Sequence, residues 1–135
     1  MPSYRLREAA ELLGVSDDTV RRWAESGRLA TETDAAGRRV VEGAVLARFA
    51  EAHATAVPDV GTVSRESARN RFVGLVTRVV RDNVMAQVEL QCGPYRVVSL
   101  MSREAADDLG LAPGVRAIAS VKSTNVVVEV SGTDR

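Results

Sequence analysis

The sequence predicts an α+β chain built from two small domains, helical in front and β-rich behind. Three observations carry this. Residues 1–53 are rich in Ala, Leu and Arg, with apolar positions at helical spacing. Residues 64–130 are rich in valine and broken by the turn pairs Asp82-Asn83, Gly93-Pro94 and Pro113-Gly114. Between them, residues 54–63 hold Pro58 and Gly61, lack periodicity and read as a linker. The expected domains are 1–53 and 64–131. Each is near the lower size limit for independent stability, so oligomerisation is expected.

In the first domain Leu6, Ala9, Ala10 and Leu13 fall at i, i+3, i+4 and i+7, one face of a helix that Gly14 ends. Ser16 is placed to cap a second helix, with Asp17 and Asp18 in its first turn where the helix dipole favours anions. In that helix Val20, Trp23 and Ala24 share one face, so Trp23 reads as core. Thr19, Arg21 and Arg22 lie away from that face, and Gly27 ends the helix. Helix, short glycine turn and helix make a helix-turn-helix. Leu29 to Thr33 and Arg38 to Val41 are short extended runs around Asp34, Ala35, Ala36 and Gly37, a hairpin that would form a wing. A third helix is expected from about Glu42 to His53, with Val45, Leu46 and Phe49 on one side.

In the second domain, segments 72–81, 84–92 and 95–101 read as strands. Residues 103–109 read as a short helix with Ser102 as N-cap, ended by Gly110. Val115, Ala117, Ala119 and Val121 alternate with Arg116, Ile118, Ser120 and Lys122, the pattern of a half-buried strand. Val126 to Val130 reads as the last strand. Five strands with a helix between the third and fourth predict a small OB-like β-barrel.

Two resemblances follow from these residues. Leu6, Glu8, Ala9, Ala10, Leu12, Leu13, Gly14, Val15, Ser16, Thr19, Val20, Arg22, Trp23, Gly27 and Leu29 resemble the winged helix-turn-helix of the MerR and excisionase group over about residues 4–52. The resemblance implies that the helix from Ser16 to Ser26 enters the major groove of double-stranded operator DNA. It also implies that Thr19 and Arg22 reach base edges, while Arg21, Arg38 and Arg39 hold phosphates. Ser16 completes the DNA-binding set. Arg pairs bidentately with guanine, and short hydroxyls contact bases or phosphate. Arg5 stands where such domains often carry a Ser or Thr cap, which is expected to weaken the start of the first helix. Asp17 and Asp18 read as stabilising the helix start, with contact to a cytosine amino group as the alternative.

The strings Ser67-Ala68-Arg69-Asn70, Leu109-Gly110-Leu111 followed by Gly114, and Lys122-Ser123-Thr124-Asn125-Val126 resemble, in that order, the Mop (TOBE) domain of molbindins and ModE molybdate regulators. The resemblance covers about residues 65–130. It implies a tetrahedral oxyanion, molybdate or tungstate, held at subunit interfaces by Ser67, Arg69, Ser102, Lys122 and Ser123. Those residue types suit a dianion, which needs convergent donors and positive charge when it leaves water. Ala105 departs from the pattern, since relatives often place a hydroxyl there; one of two kinds of interfacial site is expected to be weakened. Taken singly, Ser67 and Ser102 also read as simple caps, and Arg69 and Lys122 as solvated charges.

Composition bounds the remaining classes. The chain of 135 residues carries 18 Lys plus Arg against 18 Asp plus Glu; 17 of the bases are arginine, and Lys122 is the only lysine. Residues 1–53 hold 8 Arg against 9 acids. Non-specific DNA affinity is therefore expected to be weak, and operator binding to require a homo-oligomer, a dimer or a trimer of dimers. No apolar run approaches the roughly 18 residues that span a bilayer. The N-terminus lacks the apolar core of a signal peptide, so a cytoplasmic location is expected. The single Cys92 excludes an intramolecular disulfide and a cysteine-based metal site and reads as a strand residue; His53 reads as solvated or as a weak partner of a helix C-terminus. No nucleophile, phosphate-loop or metal-ligand motif appears, so no enzyme activity is expected. The sequence thus reads as a molybdate- or tungstate-responsive transcription regulator. The alternatives are an oxyanion storage protein and a constitutive DNA-binding protein whose barrel only oligomerises.

Overall fold

A computed structural model describes residues 2–54 and 67–132. The expected linker, beyond residue 54, lies outside the described residues. The chain divides into two compact units, Met1–Ala56 and Val57–Arg135. Among the described residues no helix is long and apolar enough to cross a membrane.

The first unit holds three helices, α1 (Leu6–Leu13), α2 (Asp17–Glu25) and α3 (Gly43–Ala52), and three short strands, β1 (Ser3–Arg5), β2 (Glu32–Thr33) and β3 (Arg39–Glu42). The apolar spacing read from the sequence is the spacing that is buried. Ala9 and Ala10 of α1, Val20 of α2, Leu29, Val41, and Leu46 and Phe49 of α3 form one core. Trp23 packs on that core, its ring centroid 5.0 Å from that of Phe49. Gly14 ends α1 with φ +71°, a conformation that only glycine adopts without steric cost, and the Val15 N–H returns to the Ala10 carbonyl at 3.0 Å.

Three details differ from the expectation. The extended run expected from Leu29 shortens to Glu32–Thr33, because the Leu29 N–H closes the end of α2 on the Trp23 carbonyl at 3.1 Å and its side chain enters the core. A third strand was missed: β1 pairs antiparallel with β3, giving the order β1-β3-β2. Third, the start of α1 is not left bare. Arg5 offers no side-chain cap, but the Glu8 carboxylate accepts the Arg5 N–H at 3.0 Å, half of a capping box.

The second unit is an antiparallel sheet of β4 (Asn70–Arg81), β5 (Met85–Cys92), β6 (Tyr95–Ser102) and β7 (Arg116–Val121), in the order β6-β5-β4-β7, with helix α4 (Arg103–Asp108) between β6 and β7. β4 serves both neighbours in turn. Its first half, Asn70–Leu75, pairs with β7, and its second half, from Leu75 on, pairs with β5 across an irregularity between Val76 and Arg78. Where the two pairings meet, Gly74 lies against the turn end of β5. A Cβ there would run into the Gln91 carbonyl oxygen and sit 2.6 Å from Cys92 Sγ. The core is Val76, Ala86, Val88, Leu90, Cys92, Ala106 and Leu111. Cys92 is the buried strand residue expected, and burial pushes its thiol up. On the other face of β5, the buried Glu89 carboxylate accepts from Arg96 Nη2 at 2.6 Å, and this guanidinium holds it below its usual range.

The α+β class holds, but the fifth strand does not form among the described residues. After β7 a single 3-10 turn, Ser123–Asn125, follows, and residues 126–130 carry no strand pairing. Val127, Val128 and Val130 are 83%, 83% and 90% exposed. A strand exists by its partner's hydrogen bonds, and this apolar run finds none here. Between β6 and β7, whose outer edges carry no partner strand among the described residues, lies a cleft of about 220 Å3 lined by residues that include Leu90, Val97, Met101, Ile118 and Val121.

Candidate functional site

The two sets of predicted residues sit on different units. On the first, α2 begins at Ser16, whose Oγ accepts the Thr19 N–H at 3.2 Å, the cap expected from sequence. Burial of Val20 and Ala24 turns the opposite side of α2 outward, so Ser16, Arg21 and Arg22 are exposed and Thr19 half-buried. Ser16 and Thr19 hydroxyls lie 2.9 Å apart, and Arg22 Nη2 donates to Thr19 Oγ1 at 3.3 Å. Arg21 faces the Asp18 carboxylate at 3.6 Å, an exposed pair that salt screens.

The wing is the β2–β3 hairpin. Asp34 builds its turn by accepting the Ala36 and Arg38 N–H groups, each at 2.9 Å. Those hydrogen bonds, with the Arg38 guanidinium 3.7 Å away, hold the Asp34 carboxyl below its ordinary value. Arg38 and Arg39 are both exposed beside the turn, and Arg39 Nη2 donates to Thr31 Oγ1 at 3.1 Å. The hydroxyl of Thr31 was missed in the sequence; no spacing signal joins residues eight apart across a hairpin. His53 caps α3, as a partner of that helix's C-terminus, with Nδ1 3.1 Å from the Phe49 carbonyl and its ring stacked on Phe49 at 3.9 Å.

On the second unit, the antiparallel register brings together two strings some fifty residues apart. Asn70 pairs with Val121, and Asn70 Nδ2 donates to the Val121 carbonyl at 3.1 Å. Ser67 and Arg69 therefore lie at the same sheet end as Lys122 and Ser123. Ala68 is buried and anchors this segment, while Ser67, Arg69, Lys122 and Ser123 are exposed. Asn70 belongs to the motif but works as the stitch between the two strings. Ser102 is not part of this group. It pairs with Met85 at the opposite end of the sheet, separated by most of the 12-residue β4, roughly 35 Å of extended chain at about 3.3 Å per residue.

The surroundings of Ser102 also differ in charge. Its Oγ accepts the Ala105 N–H at 3.1 Å, the expected cap of α4. The adjoining cleft is lined by Glu104, Asp107 and Asp108 as well as Arg103. Asp107 is paired with Arg81 at 3.0 Å and Arg103 at 3.7 Å. Such a cleft repels a dianion unless further positive charge is supplied. Within one chain the five oxyanion candidates thus form two groups, four donor-bearing residues at one sheet end and Ser102 at the other.

Comparison with known proteins assigns both units. A helix-turn-helix domain family matches residues 3–54, and the TOBE domain family matches residues 66–128. "Molybdenum-pterin-binding protein 3" of Clostridium pasteurianum is 38% identical over 63 residues, which span 46% of this chain and 93% of that protein. Among solved structures, a molybdate binding protein from Sporomusa ovata aligns with a TM-score of 0.47 and 29% identity over 49% of this chain and 98% of that one. The cytoplasmic molybdate-binding protein ModG aligns with a TM-score of 0.47 and 35% identity over 53% of this chain and 50% of that one.

Proposed function

The chain belongs to the TOBE-domain family of molybdenum-pterin-binding proteins and carries a helix-turn-helix domain in front, and from that premise we propose that it is a molybdate- or tungstate-responsive transcription regulator. The observation that carries this reading is the conjunction in one chain of an exposed Ser16–Thr19–Arg22 helix face, flanked by an arginine-bearing wing, with a domain whose relative is named for binding molybdenum. In this reading the helix α2 enters the major groove of operator DNA, Arg22 reads a base edge, and Arg21, Arg38 and Arg39 hold phosphates. Ser67, Arg69, Lys122 and Ser123 hold the oxyanion. The lysine supplies three donors and a positive charge, the arginine a second charge, and the hydroxyls further donors. Ser102 contributes from a second copy or not at all, because it lies at the far sheet end.

The reading includes assembly. Val126–Val130 supplies the missing strand to the cleft between β6 and β7 of another copy, which closes both barrels. The support is the exposed valine run after β7, together with sheet edges on β6 and β7 that carry no partner strand among the described residues. No catalytic role is assigned, the location is cytoplasmic, and the domain boundaries remain at 1–53 and 64–131.

A storage role is the second reading, supported by the fact that the TOBE half alone spans 93% of the molybdenum-pterin-binding relative. Selection of duplexes from a randomised pool by the full-length protein separates the two. A regulator enriches one two-fold sequence and protects it from cleavage; a storage protein titrates molybdate by calorimetry but enriches none.

A further inference from the structure

We propose that Thr19 is a positioning residue that fixes Arg22 for readout of a guanine, and that it does not itself read a base. This rests on the operator-binding reading above and assigns its specificity. Ser16, Thr19 and Arg22 stand at i, i+3 and i+6 on one helix face. They form one hydrogen-bonded chain: the hydroxyls of Ser16 and Thr19 are 2.9 Å apart, and Arg22 Nη2 donates to Thr19 Oγ1 at 3.3 Å.

A threonine hydroxyl has one proton and two lone pairs. If Thr19 donates to Ser16, one lone pair takes Arg22; if Ser16 donates to Thr19, both lone pairs are occupied. In either arrangement two of its three hydrogen-bonding positions are used inside the helix. Thr19 is also half-buried, whereas Arg22 is exposed and longer. The guanidinium gives one of its five N–H groups to Thr19, and four remain, enough for the paired donation that guanine O6 and N7 accept. A guanidinium already held on one edge loses less rotamer freedom when it binds, so the contact gains both affinity and geometric selectivity. Arg21 has a different tether, the Asp18 carboxylate, and faces a different side.

The test uses full-length protein and a duplex that the wild type selects from a randomised pool, with each guanine in turn replaced by 7-deazaguanine to remove the N7 acceptor. At one guanine per half-site the wild type loses about tenfold in affinity, the scale of a good bidentate contact. Thr19→Val keeps the β-branch and the backbone N–H that Ser16 caps; it weakens binding to the selected duplex several-fold and erases most of the penalty at that guanine. Thr19→Ser restores both. In an Arg22→Lys background Thr19→Val has no further effect on binding to that duplex. An intact guanine penalty in Thr19→Val, or the same loss in both backgrounds, overturns the proposal and makes Thr19 a contact in its own right. A pool that yields no preferred sequence overturns the operator-binding reading itself, a distinct result.

Discussion

Lys122 is the sole ammonium side chain among 18 basic residues, and it stands at the one turn where the oxyanion reading requires a cation. The register Asn70–Val121 puts it at the sheet end that carries Arg69, since Arg69 and Lys122 continue the two paired strands by one residue each. Lys122→Ala is expected to weaken molybdate binding by roughly 10- to 100-fold, the scale of a lost charge-assisted hydrogen bond at about 1.5–3 kcal/mol. Calorimetry measures this, and the circular dichroism of the helical unit should not change. Near-normal affinity in the variant would remove Lys122 from the site. The resemblance singled out these residues, and the register places Ser67, Arg69, Lys122 and Ser123 at one sheet end. The separation of Ser102 from the other four was not legible in the sequence, because strand position in a sheet depends on pairing that no local window contains. Nor could the sequence foresee that Glu104, Asp107 and Asp108 line the cleft beside Ser102.

Elements were legible where apolar period and caps agree. Helices α1 and α2 follow Leu6, Ala9, Ala10, Leu13 and the Ser16 cap almost residue for residue. β1 was missed because Ser3–Arg5 is three residues long, too short for any period, and exists only through its pairing with β3. Two predictions belong at this scale. The first concerns the wing. Asp34 has a folded-state carboxyl pKa below its ordinary value of about 3.9. Its contribution is therefore present above that value and is lost as the pH falls through the folded-state value. Protection of the hairpin amides, taken relative to their intrinsic exchange rates, should fall below about pH 4. Asp34→Asn, whose side-chain carbonyl still accepts both N–H groups, should flatten that dependence; an equal acid sensitivity in the variant would assign it elsewhere. The second concerns Gly74, an isolated strand glycine of the kind that marks close backbone approach. Gly74→Ala forces β4 away from the Gln91 carbonyl and should destabilise the second unit by about 1–3 kcal/mol in denaturant melts. An unchanged midpoint would mean that β5 yields at no cost.

At the scale of the molecule, the proposed assembly would reconcile the sequence's fifth strand with the structure's four. The valine run from Val126 to Val130 reads as a strand, and in the proposed assembly its partner belongs to another copy, where single-sequence reasoning has no access. Val127→Asp with Val128→Asp should therefore reduce the native mass of the assembly to that of the monomer, and an unchanged mass would refute the strand-donation account. Under the proposed function the same assembly would link ligand to operator: an oxyanion held between copies would favour one arrangement of subunits, and that arrangement would set the spacing of paired α2 helices. The shift can be no larger than the ligand's differential affinity for the two arrangements. The most direct measurement is the affinity of the full-length protein for its selected duplex with and without saturating molybdate or tungstate. The account predicts a change of at least about fivefold, the lower range of coupling energies near 1 kcal/mol, that disappears in Lys122→Ala. Equal affinities with and without both anions, in a protein that binds them, would contradict it.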